Sequence, residues 1–212
     1  MGDIIMNGEA YDDGWIQPDD EELIDSVIKH EGGKEVIYRY LEQGTLEVSD
    51  KCYGPDTEFE DAEDFEDYCI ENGLWPAYVD TEGYDTVGVG HLITGNEYYD
   101  PYVGVTDDEV FDQLADDIEQ HLEGAKQLAE ENEMDIAGNY VVQLFMTEMC
   151  FNIGKGGYSQ FRNGLKKLAS AVNGDGKFTY NDAADEHLDS HWANQVKSRA
   201  IHMTDTLREL DG

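Results

Sequence analysis

Glu31 ends a helical pattern and is followed by Gly32 and Gly33. Forty-eight residues separate it from Asp80, which opens the run Asp80-Thr81-Glu82-Gly83-Tyr84-Asp85-Thr86. A carboxylate at the negative end of a helix dipole is disfavoured, so its pKa is expected to rise. A general acid working near neutral pH needs such a rise. The plainer reading of Glu31 is a solvated glutamate before a glycine cap. In the stretch YVDTEGYDTVGVGHL, residues 78 to 92, strand alternation puts Tyr84, Thr86, Gly88 and Gly90 on one face and Asp85, Val87, Val89 and His91 on the other. Glycine inside a strand suits a place where something large approaches the backbone. The stretch therefore reads as the floor of a cleft with Asp80 and Thr86 at its edge, or as an ordinary hairpin with a polar turn.

The elements that must position these residues follow from periodicity and caps. Residues 1–18 read as a lead-in. A helix is expected from Asp19 to His30, with Leu23, Ile24, Val27 and Ile28 as its apolar stripe and a left-handed glycine at Gly32 or Gly33 as its stop. Residues 39–76 read as an acidic insertion subdomain, with a short strand in GTLEVS. A helix follows there, with capping-box spacing at Thr57 and Glu60 and a seam of Phe59, Ala62, Phe65 and Cys69. Thr106 and Glu109 have the same spacing ahead of a long helix from Asp107. NYVVQLFMTEMCFNIG is apolar almost all round and reads as a central buried helix stopped at Gly154, with shorter helices over 158–172, 181–189 and 195–209. In NGDGKFTYNDAAD, the residues Asn173, Asp175, Gly176, Thr179 and Asp182 match calcium-loop positions. Ala171 stands where the first ligand belongs, so a turn is expected and no metal site.

The chain has 212 residues, 40% of them hydrophobic, enough for a substantial core. Its 49 acidic and 13 basic residues give a formal charge of −36, which repels nucleic-acid phosphates and anionic membranes. Solubility or salty surroundings account for such a charge, with nucleic-acid mimicry as the sharper alternative. No apolar run of about 18 residues suggests a membrane span. The N-terminus lacks the basic start and apolar core of a secretory signal. Cys150 reads as a buried thiol, while Cys52 and Cys69 share one acidic segment and would pair only in an oxidising compartment.

Several segments, in order, resemble the phage-type lysozymes, the muramidases of glycoside hydrolase family 24. They are IKHEGG, YVDTEGYDTVGVGHLIT, VTDDEVFDQLADD, MCFNIGKGGYSQFRNGLKKL and AADEHLDSHWANQVKSRA, covering most of residues 20–40 and 77–208. The resemblance implies an α+β, lysozyme-like fold, with a small β-sheet lobe and a larger helical lobe flanking a substrate cleft. It matches Glu31 to the general acid, Asp80 to the second carboxylate and Thr86 to the threonine that helps hold the attacking water of an inverting hydrolysis. Arg199 matches an arginine paired with the catalytic glutamate, and His91 a histidine paired with an aspartate, here Asp117. Leu92, Phe151, Asn152 and Gly164 fall on cleft-lining positions, with core packing an equal reading for Phe151.

The departures are the long excursion between Glu31 and Asp80, a glycine at position 164, Glu186 where a relative has a neutral amide, and the acidity itself. The expected activity is hydrolysis of the β-1,4 bond between N-acetylmuramic acid and N-acetylglucosamine. Peptidoglycan is the partner, the protein is a monomer, and no cofactor, nucleic acid or membrane insertion is involved. The expected place is the host cytoplasm until lysis. A virion-associated structural or peptidoglycan-binding module and a chitin-type glycosidase are the rivals.

Overall fold

Leu23 and Val27, one helical turn apart, are both fully buried and give the first helix its inner face. In this computed structural model, which describes residues 14–212, that helix α1 runs Glu21–Glu31, so Glu31 is its last residue. Most of the lead-in, residues 1–13, lies outside the described residues. Gly32 turns the chain at φ +104°, a left-handed conformation that suits glycine, and Gly33 caps a second helix, α2 (Lys34–Glu42). The sequence pattern assigns no helix to the residues of α2. Its buried face is Ile37 and Leu41, an i, i+4 pair.

The described residues form two compact units, one of Ile24–Asp117 and one of residues 14–23 with Ile118–Gly212. The first holds an antiparallel sheet ordered β1-β2-β3-β4, from β1 (Glu47–Val48), β2 (Tyr78–Val79), β3 (Asp85–Val87) and β4 (His91–Leu92). β1 is the strand expected in GTLEVS. It pairs Glu47 with Val79 and Val48 with Tyr78, so residues 39–76 supply one outer strand of the sheet. The helix of that segment, α3 (Ala62–Asn72), begins at Asp61, whose side chain accepts from Asp64 N–H. Thr57, the expected cap, instead donates within a turn to the carbonyls of Gly54 and Phe59. Phe65 and Cys69 are fully buried as expected.

The base of the segment is tied down by Lys34, which donates to Gly73 O and to Asp107 Oδ1, both at 2.7 Å. Trp75 Nε1 donates to the same Asp107 oxygen at 2.7 Å. Asp107 opens helix α4 (Asp107–Glu131), where a carboxylate meets the positive end of the dipole. The expected capping box forms there: Thr106 N–H donates to Glu109 Oε2 at 3.0 Å, and Glu109 N–H to Thr106 Oγ1 at 3.3 Å.

The second unit takes α4 from Ile118 onward, then α5 (Tyr140–Tyr158), α6 (Arg162–Val172), α7 (Tyr180–Leu188), α8 (His191–Val196) and α9 (Ser198–Arg208). α5 is the central helix. Val142, Phe145, Met146, Met149 and Cys150 are buried along it, and Gly154 breaks its helical path at φ 68°, ψ 159°. Buried Gln143 accepts from Ile16 N–H at 2.7 Å and donates to the carbonyls of Gly14 and Ile136, so a polar side chain is satisfied inside the core. The single helix expected over 195–209 is divided at Lys197, which adopts φ +47°. Near the C-terminus, Asp211 accepts the N–H groups of Tyr180 and Asn181 and so caps α7 from a distance.

The architecture is α+β. Among the described residues no helix is long and apolar enough to cross a membrane. Cys52, Cys69 and Cys150 are buried free thiols. Burial pushes the pKa of each up to about 12, which keeps them protonated.

Candidate functional site

The stretch from Tyr78 to Leu92 folds as three short strands, β2, β3 and β4, joined by two turns, not as one strand with glycines in it. β3 ends at Val87, Gly88 and Gly90 take φ +59° and +74° in the turn, and His91 pairs back onto Val87. The glycines are there for the turn's backbone. Gly88 also lies under α4, where an added Cβ would come within 2.8 Å of Val110 Cγ1. The alternation expected for Thr86 and His91 nevertheless holds. Thr86 faces Tyr78 on one side and Leu92 on the other, which places those three side chains in one row across the sheet, while His91 shares the opposite face with Val87.

Asp80 sits in the turn between β2 and β3. Its Oδ1 accepts two backbone N–H groups, Glu82 at 2.9 Å and Tyr84 at 2.8 Å, which fixes the carboxylate rotamer. Among the described residues Oδ2 has no hydrogen bond, so one oxygen is positioned by the turn and the other is left to accept a proton. The Tyr84 carbonyl accepts from Asp80 N–H at 2.9 Å and from the Thr86 hydroxyl at 3.2 Å. Asp80 and Thr86 are thus joined through one peptide unit. With its proton committed to that carbonyl, the Thr86 oxygen is left as an acceptor. Thr86 is only 3% exposed.

Glu31 reaches the next turn, between β3 and β4. A Cβ at Gly90 would lie 3.4 Å from Glu31 Oε2 and 3.6 Å from its Cγ, so the glutamate packs over the bare backbone of the turn. Buried Tyr78 stands near both carboxylates. Burial, then the charges of Glu31 and Asp80, hold its phenol well above the ordinary tyrosine pKa, against a lowering backbone hydrogen bond from Gly90. The phenol is neutral at any ordinary pH and cannot serve as a base. Sequence reasoning missed Tyr78, although it shares strand parity with Asp80.

His91 and Asp117 meet as expected, Nδ1 to Oδ2 at 2.8 Å. Glu97 was not anticipated. Its Oε1 lies 3.5 Å from His91 Nε2, and the Glu97 carboxylate accepts the N–H groups of Thr94 and Gly95. Burial pulls the His91 pKa down, but the hydrogen bond and charge of Asp117, with Glu97 behind, raise it above its ordinary value. Burial raises Glu97 while its backbone donors outweigh that and bring it to about 2.

The remaining predicted residues belong to the sheet's outer row and to the helical unit. Leu92 is 49% exposed. Asn152 Oδ1 accepts from Trp192 Nε1 at 2.6 Å, and half-buried Phe151 packs against His121 with ring centroids 4.9 Å apart. Gly164 is buried, and a Cβ there would meet His187 Cε1 at 2.7 Å. The position is therefore a packing glycine beneath an imidazole. Arg199 is half-buried on α9. Glu186 holds Lys167 at 2.5 Å. In the segment that matches calcium-loop positions, Asp175 is engaged by Ser170 and Lys177, and Asp182 closes a capping box with Thr179. Among the described residues no group of three or more His, Cys, Asp or Glu side chains is placed to hold a metal. No protein-family model matches the chain.

Proposed function

We propose that this protein is a lysozyme-like glycoside hydrolase that cleaves the β-1,4 bond between N-acetylmuramic acid and N-acetylglucosamine in bacterial peptidoglycan, with inversion. The observation that carries this reading is that Glu31, Asp80 and Thr86 all meet the small sheet of β2, β3 and β4, with Tyr78 near both carboxylates. Glu31 packs over Gly90 in the turn between β3 and β4, and Asp80 and Thr86 are joined through the Tyr84 carbonyl. Glu31 is the proton donor to the departing glycosidic oxygen. Asp80 takes a proton from water through Oδ2 while its other oxygen stays clamped, and Thr86 accepts the water's second hydrogen to aim its lone pair at the anomeric carbon. Breaking the C–O bond leaves positive charge on the ring, which the two carboxylates offset as the water adds from the opposite face.

The sequence resemblance to the phage-type lysozymes supports the choice of substrate, and it implies release from the host cytoplasm at lysis. Clearing of a suspension of purified cell walls tests the reading. The wild-type protein clears it, and intact walls after prolonged incubation would reject the reading.

A further inference from the structure

Tyr84 is 59% exposed, yet its backbone is tightly held. Its N–H donates to Asp80 Oδ1 at 2.8 Å, and its carbonyl accepts from Asp80 N–H at 2.9 Å and from the Thr86 hydroxyl at 3.2 Å. Three hydrogen bonds thus hold the residue whose ring projects into solvent. Among the described residues that ring has no aromatic partner, and its hydroxyl makes no hydrogen bond. Leu92, directly across from Thr86 in the sheet register, is 49% exposed. Tyr84 and Leu92 therefore bracket Thr86, one just before its strand and one across it. Folding gains little from leaving either in water.

We propose that Tyr84 is a substrate-binding residue whose ring stacks on the apolar face of a pyranose beside Asp80, with Leu92 supporting the neighbouring edge. A pyranose presents axial C–H groups on one face and hydroxyls around its rim. A flat, rigid aromatic surface matches the first and leaves the second to water. The inference rests on the glycan-hydrolase reading, because only a sugar at Asp80 gives the ring an occupant. Since stacking is present both before and during bond cleavage, its loss weakens binding more than turnover.

The test is calorimetric titration of soluble, uncrosslinked peptidoglycan glycan fragments into the Glu31→Gln protein, alone and combined with Tyr84→Ala, Tyr84→Phe or Tyr84→Trp. Tyr84→Ala is expected to weaken binding by about three- to tenfold, with Phe and Trp retaining it and melting temperature unchanged. Equal affinity in the Ala variant, or a Phe variant as weak as Ala, would overturn the stacking role. The otherwise wild-type Tyr84→Ala protein should show the matching rise in KM with kcat nearly kept. The two failures are separable: binding that depends on the ring without wall lysis by wild type sinks the hydrolase reading alone. Lysis with ring-independent binding sinks this inference alone, and absence of any glycan binding sinks both.

Discussion

His91 Nδ1 lies 2.8 Å from Asp117 Oδ2, and Nε2 of the same ring faces Glu97 Oε1 at 3.5 Å. The first distance is a charge-assisted hydrogen bond. The second is an ion-pair approach too long for a good one. Both acids come from outside the strand that carries the histidine, so the ring ties β4 to α4 and to the loop after it. The His91 pKa is raised above its ordinary 6.5. A raised histidine pKa contributes stability that is complete below the unfolded value and lost as pH rises through the folded one. His91→Asn should therefore destabilise most just below pH 6.5, by about 2 kcal/mol, and less at pH 8. Urea denaturation of both proteins at the two pH values checks this, and equal differences would contradict it.

His187 has the opposite linkage. It is fully buried among Phe145, Tyr158 and Phe161, with Nδ1 2.8 Å from Ala183 O, and burial lowers its pKa to about 4. The folded value lies below the unfolded 6.5, so its contribution is whole above 6.5 and declines as pH falls toward the folded value. The full loss is about 3 kcal/mol. An imidazole NMR titration should show His187 neutral down to about pH 4. Titration near 6.5 would contradict a dry, neutral ring.

Gly164→Ala should be costly although the residue is helical, because the new methyl would fall 2.7 Å from His187 Cε1. Overpacking of this kind costs about 1–3 kcal/mol. Thermal unfolding checks it, and an unchanged or higher melting temperature would show that the ring can move aside.

Salt should help this protein. A formal charge of −36 opposes compaction and repels an anionic wall. Both penalties shrink as the screening length falls from about 10 Å at 0.1 M to about 3 Å at 1 M. Melting temperature should climb as sodium chloride is raised through that range. A steady fall would mean that specific ion pairs such as Lys51–Asp85 and Lys34–Asp107 outweigh the general repulsion.

Much of this arrangement is legible in local sequence signals. Thr106 and Glu109 announce the start of α4, Gly154 the break in α5, and strand parity the need of His91 for a partner. What was missed depends on competition or on contacts remote in sequence. Thr57 and Asp61 both offer a cap, and Asp61 wins because it stands one residue before the helix that buries Phe65 and Cys69. α2 was hidden by its short length between two glycines and the acidic segment. Gly88 and Gly90 fit a cleft floor as well as a turn, and only the return of His91 onto Val87 separates the two. Glu97 becomes visible once Thr94 and Gly95 wrap their N–H groups around it, which no spacing rule specifies. Lys197, at φ +47°, carries no glycine or proline to mark the break between α8 and α9.

The central claim is that Glu31 and Asp80 act as acid and base on a glycan. Initial release of reducing ends from purified peptidoglycan by wild type, Glu31→Gln and Asp80→Asn, each verified as folded by circular dichroism, tests it most directly. Each substitution should lower the rate by about 10²–10⁴-fold while the melting temperature stays close to wild type. Wild-type release of reducing ends by either folded variant would contradict the account.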